Sequence, residues 1–235
     1  VKWTDMATFS VILLTVPPPG EIADKEGAFV KIDGREALLR STELFLNRDN
    51  IKQILLVFTP EMLEEGKRKY GSHLSFSGVK VTAGGPKWID QLAAAGEKLS
   101  PDATHVVVHD AARCAVAYND LDALLEGAVK NSAVTLATAL KAGLVELDET
   151  GVPVGSRDAK EFMQLLTPRV YARERLLQIA KSRQDVHASE WTLLKGNPLN
   201  LRASGSEASL VNSMLKHLPK PKTKAAATPF DEAQW

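Results

Sequence analysis

A carboxylate and a guanidinium lie three residues apart in the segment Val108-His-Asp-Ala-Ala-Arg-Cys-Ala-Val116. Asp110 stands where an apolar, β-branched run ends, and Arg113 follows in the next turn. A carboxylate at such a place can hold a divalent metal that bridges phosphates, and an arginine can bind a phosphate or a carboxylate through two parallel hydrogen bonds. The residue types therefore favour a phosphate-binding site. The alternative is that Asp110 only caps the turn and that Arg113 is a surface residue.

The elements that must position these two residues alternate between strands and helices. Apolar or β-branched runs predict strands over residues 9–16, 51–58, 79–82, 105–110 and 132–137. Helical spacing of apolar residues predicts helices over residues 36–47, 86–99, 119–130 and 170–180, and Thr59-Pro60 begins one more. Alternation of this kind indicates βαβ units, and therefore an α/β fold with a mostly parallel sheet and helices on both faces. We expect residues 9–16, 51–58 and 105–109 to be neighbouring parallel strands, because each run is apolar on both faces.

Ligands of parallel sheets bind beyond the carboxyl ends of the strands. Three segments follow predicted strand ends, namely residues 15–20, 82–85 and 109–113. We therefore expect these segments to meet at one binding site. Within the second of them, Gly84-Gly85 is either a backbone site close to a bound base or an ordinary turn.

A hairpin interrupts the alternation between about residues 141 and 168. Apolar segments flank the acidic, glycine-containing turn Asp148-Glu-Thr-Gly151. Such a hairpin must cover its apolar side chains, and pairing with a second subunit is one solution. We expect a projecting β-arm and a homodimer formed through it. Residues 1–218 are expected to form one domain, and residues 219–235 are polar and unpatterned, which predicts a disordered tail.

Composition excludes several classes of protein. The 235 residues carry 29 Lys plus Arg and 29 Asp plus Glu, so a basic field for nucleic acid or anionic lipid is not indicated. The single cysteine, Cys114, excludes an internal disulfide and suits a reducing compartment. His105 and His109 point to one face of a strand, but with no third ligand in view they do not predict a zinc site. No apolar run approaches the ~18 residues of a spanning helix, and residues 9–16 lack the flanks of a signal peptide, so we expect a cytoplasmic chain.

The run His109-Asp-Ala-Ala-Arg113 resembles the signature of the 2-C-methyl-D-erythritol 4-phosphate cytidylyltransferases, a family of the non-mevalonate isoprenoid pathway. Other segments resemble that family in the same order along the chain. They are the strand ending at Gly84-Gly85, the strand, turn and helix over residues 29–39, the segment Leu165-Leu-Thr-Pro-Arg169, and Asn200-Leu-Arg-Ala-Ser204 as a late strand. The resemblance covers about residues 10–215. Only the first run is specific by itself, and the order of the others supports it.

The resemblance implies a Rossmann-like nucleotidyltransferase domain that transfers CMP from CTP to 2-C-methyl-D-erythritol 4-phosphate, a sugar-alcohol phosphate, and releases pyrophosphate. It implies Mg²⁺ as the cofactor, bound at Asp110. The residues that it implies are Lys25 and Asp110 for catalysis, Thr15, Gly20, Gly84 and Gly85 for the nucleotide, and Arg113, Arg157, Thr167 and Arg202 for the substrate phosphate, with Lys160 as the alternative to Arg157.

The chain also departs from the family's pattern. The family opens with Ala-Ala-Gly-x-Gly-x-Arg, whose amides wrap the triphosphate, whereas this chain reads Thr15-Val-Pro-Pro-Pro-Gly-Glu21. Three prolines remove three amide donors, so we expect weaker CTP affinity than the family norm. A family lysine falls at Gly27 by register, two residues after Lys25, and the late lysine is Arg202. Trp88 and Gln91 stand where the family has an arginine and a serine near the base.

These departures leave two alternatives beside the cytidylyltransferase. The chain is either a catalytically weak or inactive relative that acts as a binding or regulatory homodimer, or a nucleotidyltransferase for another substrate. Loss of a transition-state donor costs on the order of 10²–10³-fold in rate, so the altered loop is the feature that favours the first alternative.

Overall fold

The computed structural model of the chain describes residues 7–22 and 26–218. Its strands are β1 (Phe9–Leu14), β2 (Lys31–Ile32), β3 (Arg35–Glu36), β4 (Ile51–Phe58), β5 (Val79–Ala83), β6 (His105–Asp110), β7 (Ala133–Ala139), β8 (Leu144–Leu147), β9 (Pro153–Arg157), β10 (Met163–Ala172) and β11 (Thr192–Lys195). Its α-helices are α1 (Ala37–Glu43), α2 (Pro60–Phe76), α3 (Trp88–Gly96), α4 (Tyr118–Ala128), α5 (Arg173–Ser182) and α6 (Ala208–His217).

Seven strands form the central sheet in the order β11-β7-β10-β6-β1-β4-β5. All six residues of β1 are buried, and the strand pairs in parallel with β4 on one side and β6 on the other. The predicted trio of neighbouring parallel strands is therefore confirmed. The register sets Leu14 beside Asp110, so the ends of β1 and β6 reach the same edge of the sheet.

Helices cover both faces of the sheet, as predicted. On one face, apolar residues of α1, α2 and α4 pack against β1, β4 and β7. On the other face, α3 and α5 bury Leu92 and Leu176 against alternate residues of the same sheet. Because the side chains of a strand alternate between these two layers, the apolar residues of β1, β4 and β6 are buried on both faces of the sheet.

The prediction of a helix over residues 170–180 is wrong at its start. Residues 163–172 form β10, which runs antiparallel to both β6 and β7, and α5 begins at Arg173. A proline within a run argues against a strand, but the pairing of β10 with β7 shifts register between Leu165 and Arg169, where Pro168 lies. Residues 200–204, expected as a late strand, have no regular secondary structure.

The arm is a two-stranded antiparallel hairpin of β8 and β9, separate from the main sheet, as the sequence predicted. The carboxylate of Asp148 shapes its turn by accepting from the backbone N–H groups of Thr150 and Val152 at 2.8 and 3.0 Å. Residues 219–235, for which a disordered tail was expected, lie outside the described residues. Within the described part of the chain, no helix is both long and apolar enough to cross a membrane.

Candidate functional site

A cleft of about 890 Å³ opens beside the carboxyl ends of β1 and β6. Two guanidinium groups line it, those of Arg113 and Arg202, together with the carboxylates of Glu21, Glu26 and Glu207. Backbone and small side chains of residues 203–206 complete one wall. Charged groups of both signs thus meet at the edge of the sheet where parallel strands bind ligands.

Asp110 ends β6 and has no exposed surface. One carboxylate oxygen, Oδ1, accepts from the Ala112 N–H at 2.9 Å, and the other, Oδ2, accepts from Nε of Arg202 at 2.9 Å. Burial raises the pKa of Asp110 above its ordinary value, and Arg202 and the Ala112 amide oppose that rise. The residue therefore caps the following turn, as the alternative interpretation held, and it also pairs with a guanidinium 92 residues away.

Arg113 is a buried residue, with a side chain only 3% exposed. Nη1 donates to the Asn200 carbonyl at 2.6 Å, and Nη2 donates to Oε1 of Glu21 at 2.7 Å. Nε makes no hydrogen bond and lies 3.9 Å from Oδ2 of Asp110. One side of the guanidinium is thus fixed in the protein, and its Nη2 corner meets a carboxylate at the cleft.

A chain of buried hydrogen bonds holds the turn after β6 against β10. The Asp110 N–H donates to Oγ1 of Thr167 at 3.2 Å, and this hydroxyl lies 3.0 Å from Nδ1 of His109. Nε2 of His109 lies 2.9 Å from the Arg113 carbonyl, which can only accept, so Nε2 carries the proton and the hydroxyl donates to Nδ1. Burial lowers the pKa of His109 to about 3, so the neutral ring is the form that fits.

We expect this neutral histidine to make stability depend on pH. The unfolded chain takes up a proton on His109 below about pH 6.5, whereas the folded chain does so only near pH 3. Between these values the free energy of unfolding falls as the pH falls, by up to about 1.4 kcal/mol per pH unit from this group. Urea unfolding between pH 7 and 5 measures the slope.

His109→Gln is expected to flatten that slope, since it removes the titrating ring. His217→Gln, at an exposed position in α6, is the matched control for the loss of a histidine. Equal slopes in the wild-type chain and the His109 variant would contradict the prediction.

The residues expected near the base are held by close packing. A β-carbon at Gly84 would stand 2.6 Å from the Cα of Gln91, and one at Gly85 would stand 2.7 Å from the Cβ of Asp90. The glycines therefore let the first turn of α3 approach the end of β5. Gln91 in turn accepts from the Thr15 N–H at 3.0 Å, which ties α3 to the end of β1.

Arg202 fills the space beside Gly27. A β-carbon at Gly27 would stand only 2.8 Å from Nη2 of Arg202, and the backbone there has a φ of +32°. By register, the family has a lysine at position 27. The guanidinium of Arg202, which comes from another segment of the chain, lies next to that position.

The structure thus brings Asp110, Arg113 and Arg202 together, with Thr167 buried directly behind them. Thr15, Gly84 and Gly85 form a second group at the ends of β1 and β5, and Gly20 lies in the turn after β1 with a φ of +84°.

Two other predicted residues, Arg157 and Lys160, lie apart from this cluster. The guanidinium of Arg157 is held on the arm by Glu146 at 2.8 Å, and Lys160 is an exposed residue that follows the arm. Neither is among the described residues that line the cleft. Lys25 lies outside the described residues.

The sequence did not predict three residues of the site. These are Glu21, Asn200, and His109 in its role as a support for the turn. Asn200 donates from Nδ2 to the Thr167 carbonyl at 2.7 Å and offers its own carbonyl to Arg113. The one available signal was the position of His109 beside Asp110 at a buried strand end. The partners of Glu21 and Asn200 lie 92 and 87 residues away, a distance that local spacing does not report.

The expected magnesium site at Asp110 does not fit the arrangement of these groups. Both carboxylate oxygens of Asp110 already accept hydrogen bonds, and two guanidinium groups lie within 4 Å of Oδ2. A divalent cation at that oxygen would meet two positive charges. Over the ranges that the structure describes, no three His, Cys, Asp or Glu side chains are grouped closely enough to hold a metal ion.

Comparisons with known proteins agree with the resemblance. A 2-C-methyl-D-erythritol 4-phosphate cytidylyltransferase of Lachnospira eligens is 23% identical over 146 residues, which are 62% of this chain and 64% of the relative. One of Idiomarina loihiensis is 30% identical over 161 residues, 64% of this chain and 62% of the relative. The chain therefore spans just under two thirds of the length of these two curated relatives.

The fold is shared with solved structures. The crystal structure of 4-diphosphocytidyl-2C-methyl-D-erythritol synthase from Anaerococcus prevotii superposes with a TM-score of 0.75 at 14% identity, over 92% of this chain and 99% of that one. The sequence profile described as 2-C-methyl-D-erythritol 4-phosphate cytidylyltransferase matches residues 21–212, so it contains Asp110, Arg113 and Arg202 and begins after the three prolines. Because this match covers most of the chain, the protein belongs to the 2-C-methyl-D-erythritol 4-phosphate cytidylyltransferase family.

Proposed function

We propose that the protein is a cytidylyltransferase that transfers CMP from CTP to 2-C-methyl-D-erythritol 4-phosphate. The observation that carries the proposal is the convergence of Arg113 and Arg202 on one cleft at the carboxyl ends of β1 and β6, within the segment that matches the family. Two guanidinium groups suit two phosphate-bearing ligands, because each can bind a phosphate through parallel hydrogen bonds. A single buried cysteine suits a cytoplasmic location for this enzyme.

In the proposed reaction, a phosphate oxygen of methylerythritol phosphate attacks the α-phosphorus of CTP. A new P–O bond forms there, the bond between the α-phosphorus and the bridging oxygen breaks, and pyrophosphate leaves with the electron pair. Catalysis of this kind depends on positioning and on neutralising the charge of the phosphates. Arg113 and Arg202 supply that charge, and Asp110 fixes the direction of Arg202 through the 2.9 Å contact to its Nε.

Mg²⁺ belongs with the nucleotide in this proposal. The triphosphate oxygens are hard ligands of the kind that Mg²⁺ prefers, and the cation usually keeps several waters and few protein ligands. We therefore treat Mg·CTP as the substrate and assign no metal ligand to Asp110.

A specific observation favours a second candidate, a relative with little or no catalytic activity that binds anionic ligands. The family profile begins at residue 21, so the segment that carries Pro17, Pro18 and Pro19 lies outside the match. These prolines offer no N–H donors to a triphosphate.

Pyrophosphate release separates the two candidates. We expect release in the presence of CTP, Mg²⁺ and methylerythritol phosphate together, and none when the sugar phosphate is omitted or when ATP, GTP or UTP replaces CTP. Arg202→Met is expected to reduce turnover on the order of 10²–10³-fold, since it removes a charge that faces the reacting phosphates. Arg175→Met in α5 is the matched control, because Arg175 pairs with Glu190 away from the cleft. Binding of CTP without any turnover would favour the second candidate.

We also propose that the arm joins two copies of the chain into a homodimer. The proposal is supported by the apolar side chains that the arm exposes, among them Val145, Leu147, Val152 and Val154, each more than half exposed. An isolated two-stranded hairpin is marginally stable in water, so a second copy that covers these side chains would also stabilise the arm.

A further inference from the structure

Two carboxylates from the segment that follows β1 line the cleft, and one of them pairs with an arginine. Oε1 of Glu21 lies 2.7 Å from Nη2 of Arg113. Oε2 of Glu26 lies against Gly205, only 2.6 Å from where a β-carbon of that residue would stand. Gly205 begins the short 3-10 turn that leads into α6. Both carboxylates line the cleft, so each opposes the entry of an anionic ligand.

The geometry of Arg113 identifies the contact with Glu21 as the more important one. The guanidinium is anchored on its inner side by the Asn200 carbonyl, so Nη2 is the corner that faces the cleft. Nε is buried and makes no hydrogen bond. Glu21 is the outer partner, with a side chain 21% exposed against 3% for Arg113. An anionic ligand that enters the cleft must therefore compete with Glu21 for the same nitrogen.

The backbone before Glu21 allows the Glu21 carboxylate to move away from Arg113. Pro17, Pro18 and Pro19 have fixed φ angles, which keeps that part of the segment stiff. Gly20 has a φ of +84°, and nothing lies within 4 Å of where its β-carbon would stand. Rotation at Gly20 therefore moves Glu21 at the cost of one turn hydrogen bond, from the Glu21 N–H to the Pro18 carbonyl at 3.2 Å, whereas a residue with a side chain would be strained at position 20.

We propose that Glu21 is an internal anion that occupies Arg113 and sets the affinity of the cleft for phosphate-bearing ligands, with Glu26 as a weaker second competitor. The regulation rests on the proposed function, since it acts on the site assigned to the substrates. A ligand binds only by displacing Glu21. Its apparent affinity is therefore its intrinsic affinity multiplied by the fraction of molecules in which Arg113 is free of Glu21.

Calorimetric titration with pyrophosphate, the product of the proposed reaction, tests this role directly. Glu21→Gln is expected to bind pyrophosphate about tenfold more tightly than the wild-type chain, because an uncharged amide competes poorly for a guanidinium. Glu26→Gln is expected to give a smaller gain in the same direction. Glu64→Gln, an exposed residue of α2, is the matched control for the loss of one negative charge and is expected to leave the affinity unchanged.

A second variant covers the outcome in which Glu21→Gln unfolds the chain. Glu21→Asp keeps the charge but is one methylene shorter, so its carboxylate does not reach Arg113 in the same backbone position. It is expected to tighten pyrophosphate binding as well, which separates loss of the contact from loss of charge. Unchanged or weaker binding in folded Glu21→Gln or Glu21→Asp would overturn the proposal.

Turnover of the wild-type chain keeps the two proposals distinguishable. Tighter binding in the Glu21 variants without any turnover of CTP and methylerythritol phosphate refutes the proposed function and supports the role of Glu21. Turnover of the wild-type chain together with unchanged pyrophosphate binding in the variants refutes the role of Glu21 alone.

Discussion

Asp110→Ala is expected to lower the free energy of unfolding by about 3–5 kcal/mol, the cost of removing one partner of a buried ion pair. The substitution leaves the guanidinium of Arg202 and that of Arg113 close together with their shared carboxylate gone. It also frees the Ala112 N–H, which donates to Oδ1 at 2.9 Å. Turnover is expected to fall with stability, because Arg202 then has no partner that fixes its direction. Urea unfolding and pyrophosphate release measure the two effects.

Asp110→Asn separates the charge from the turn cap. The amide oxygen can still accept from the Ala112 N–H, so this variant is expected to lose the ion pair but keep the cap. From the sequence alone, an isolated acid at a cleft is expected to tolerate neutralisation. The structure reverses that expectation, because Asp110 is fully buried between two arginines.

The matched control for Asp110 is Asp122→Ala. Asp122 also pairs with an arginine, Arg48, but its side chain is 55% exposed. An exposed ion pair contributes about 0–1 kcal/mol, so the control is expected to change stability little. Equal losses of stability in the two variants, or a loss below about 1 kcal/mol for Asp110→Ala, would show that burial does not increase the contribution of the ion pair to stability.

The arm carries the second large expected effect, on assembly. Light scattering at micromolar concentration is expected to give the mass of a dimer for the wild-type chain. The double variant Val145→Glu, Val154→Glu is expected to give the mass of a monomer. Burying two unpaired carboxylates in the interface costs more free energy than the apolar contacts of the arm contribute. The fold of the monomer is expected to persist, since the arm is a sheet of its own.

Phe76→Glu is the matched control for the arm variants. Phe76 ends α2 with 94% of its surface exposed, so it tests a charge placed on an exposed apolar residue outside the arm. It is expected to leave the dimer intact. A wild-type chain that scatters as a monomer at this concentration would contradict the proposed assembly.

Strands whose residues are buried on both sides were predictable, because burial on two faces favours continuous apolar runs. This holds for β1, β4 and β6, and with them for the edge of the sheet where Asp110 lies. The hairpin of the arm was predictable from its turn. β10 was missed because Pro168 interrupts it, and a proline within a run argues against a strand.

The pairing of charges in the site could not be predicted in the same way. The sequence placed Asp110 correctly at the end of a strand and Arg113 in the turn after it, but it did not identify the protein side chains that contact them. Their actual partners, Arg202 and Glu21, come from segments far along the chain in either direction. Only the packing of those segments decides which carboxylate meets which guanidinium.

The contact between Gly27 and Arg202 couples two positions in the evolution of this chain. The Nη2 atom of Arg202 stands 2.8 Å from where any β-carbon at position 27 would lie. A lysine introduced at position 27 first would clash with the arginine, whereas the same lysine after a shortening of residue 202 would find space. A lysine that arises at position 27 first must therefore displace the end of the Arg202 side chain and disturb its contact with Asp110, so the cost of that substitution depends on which residue stands at position 202.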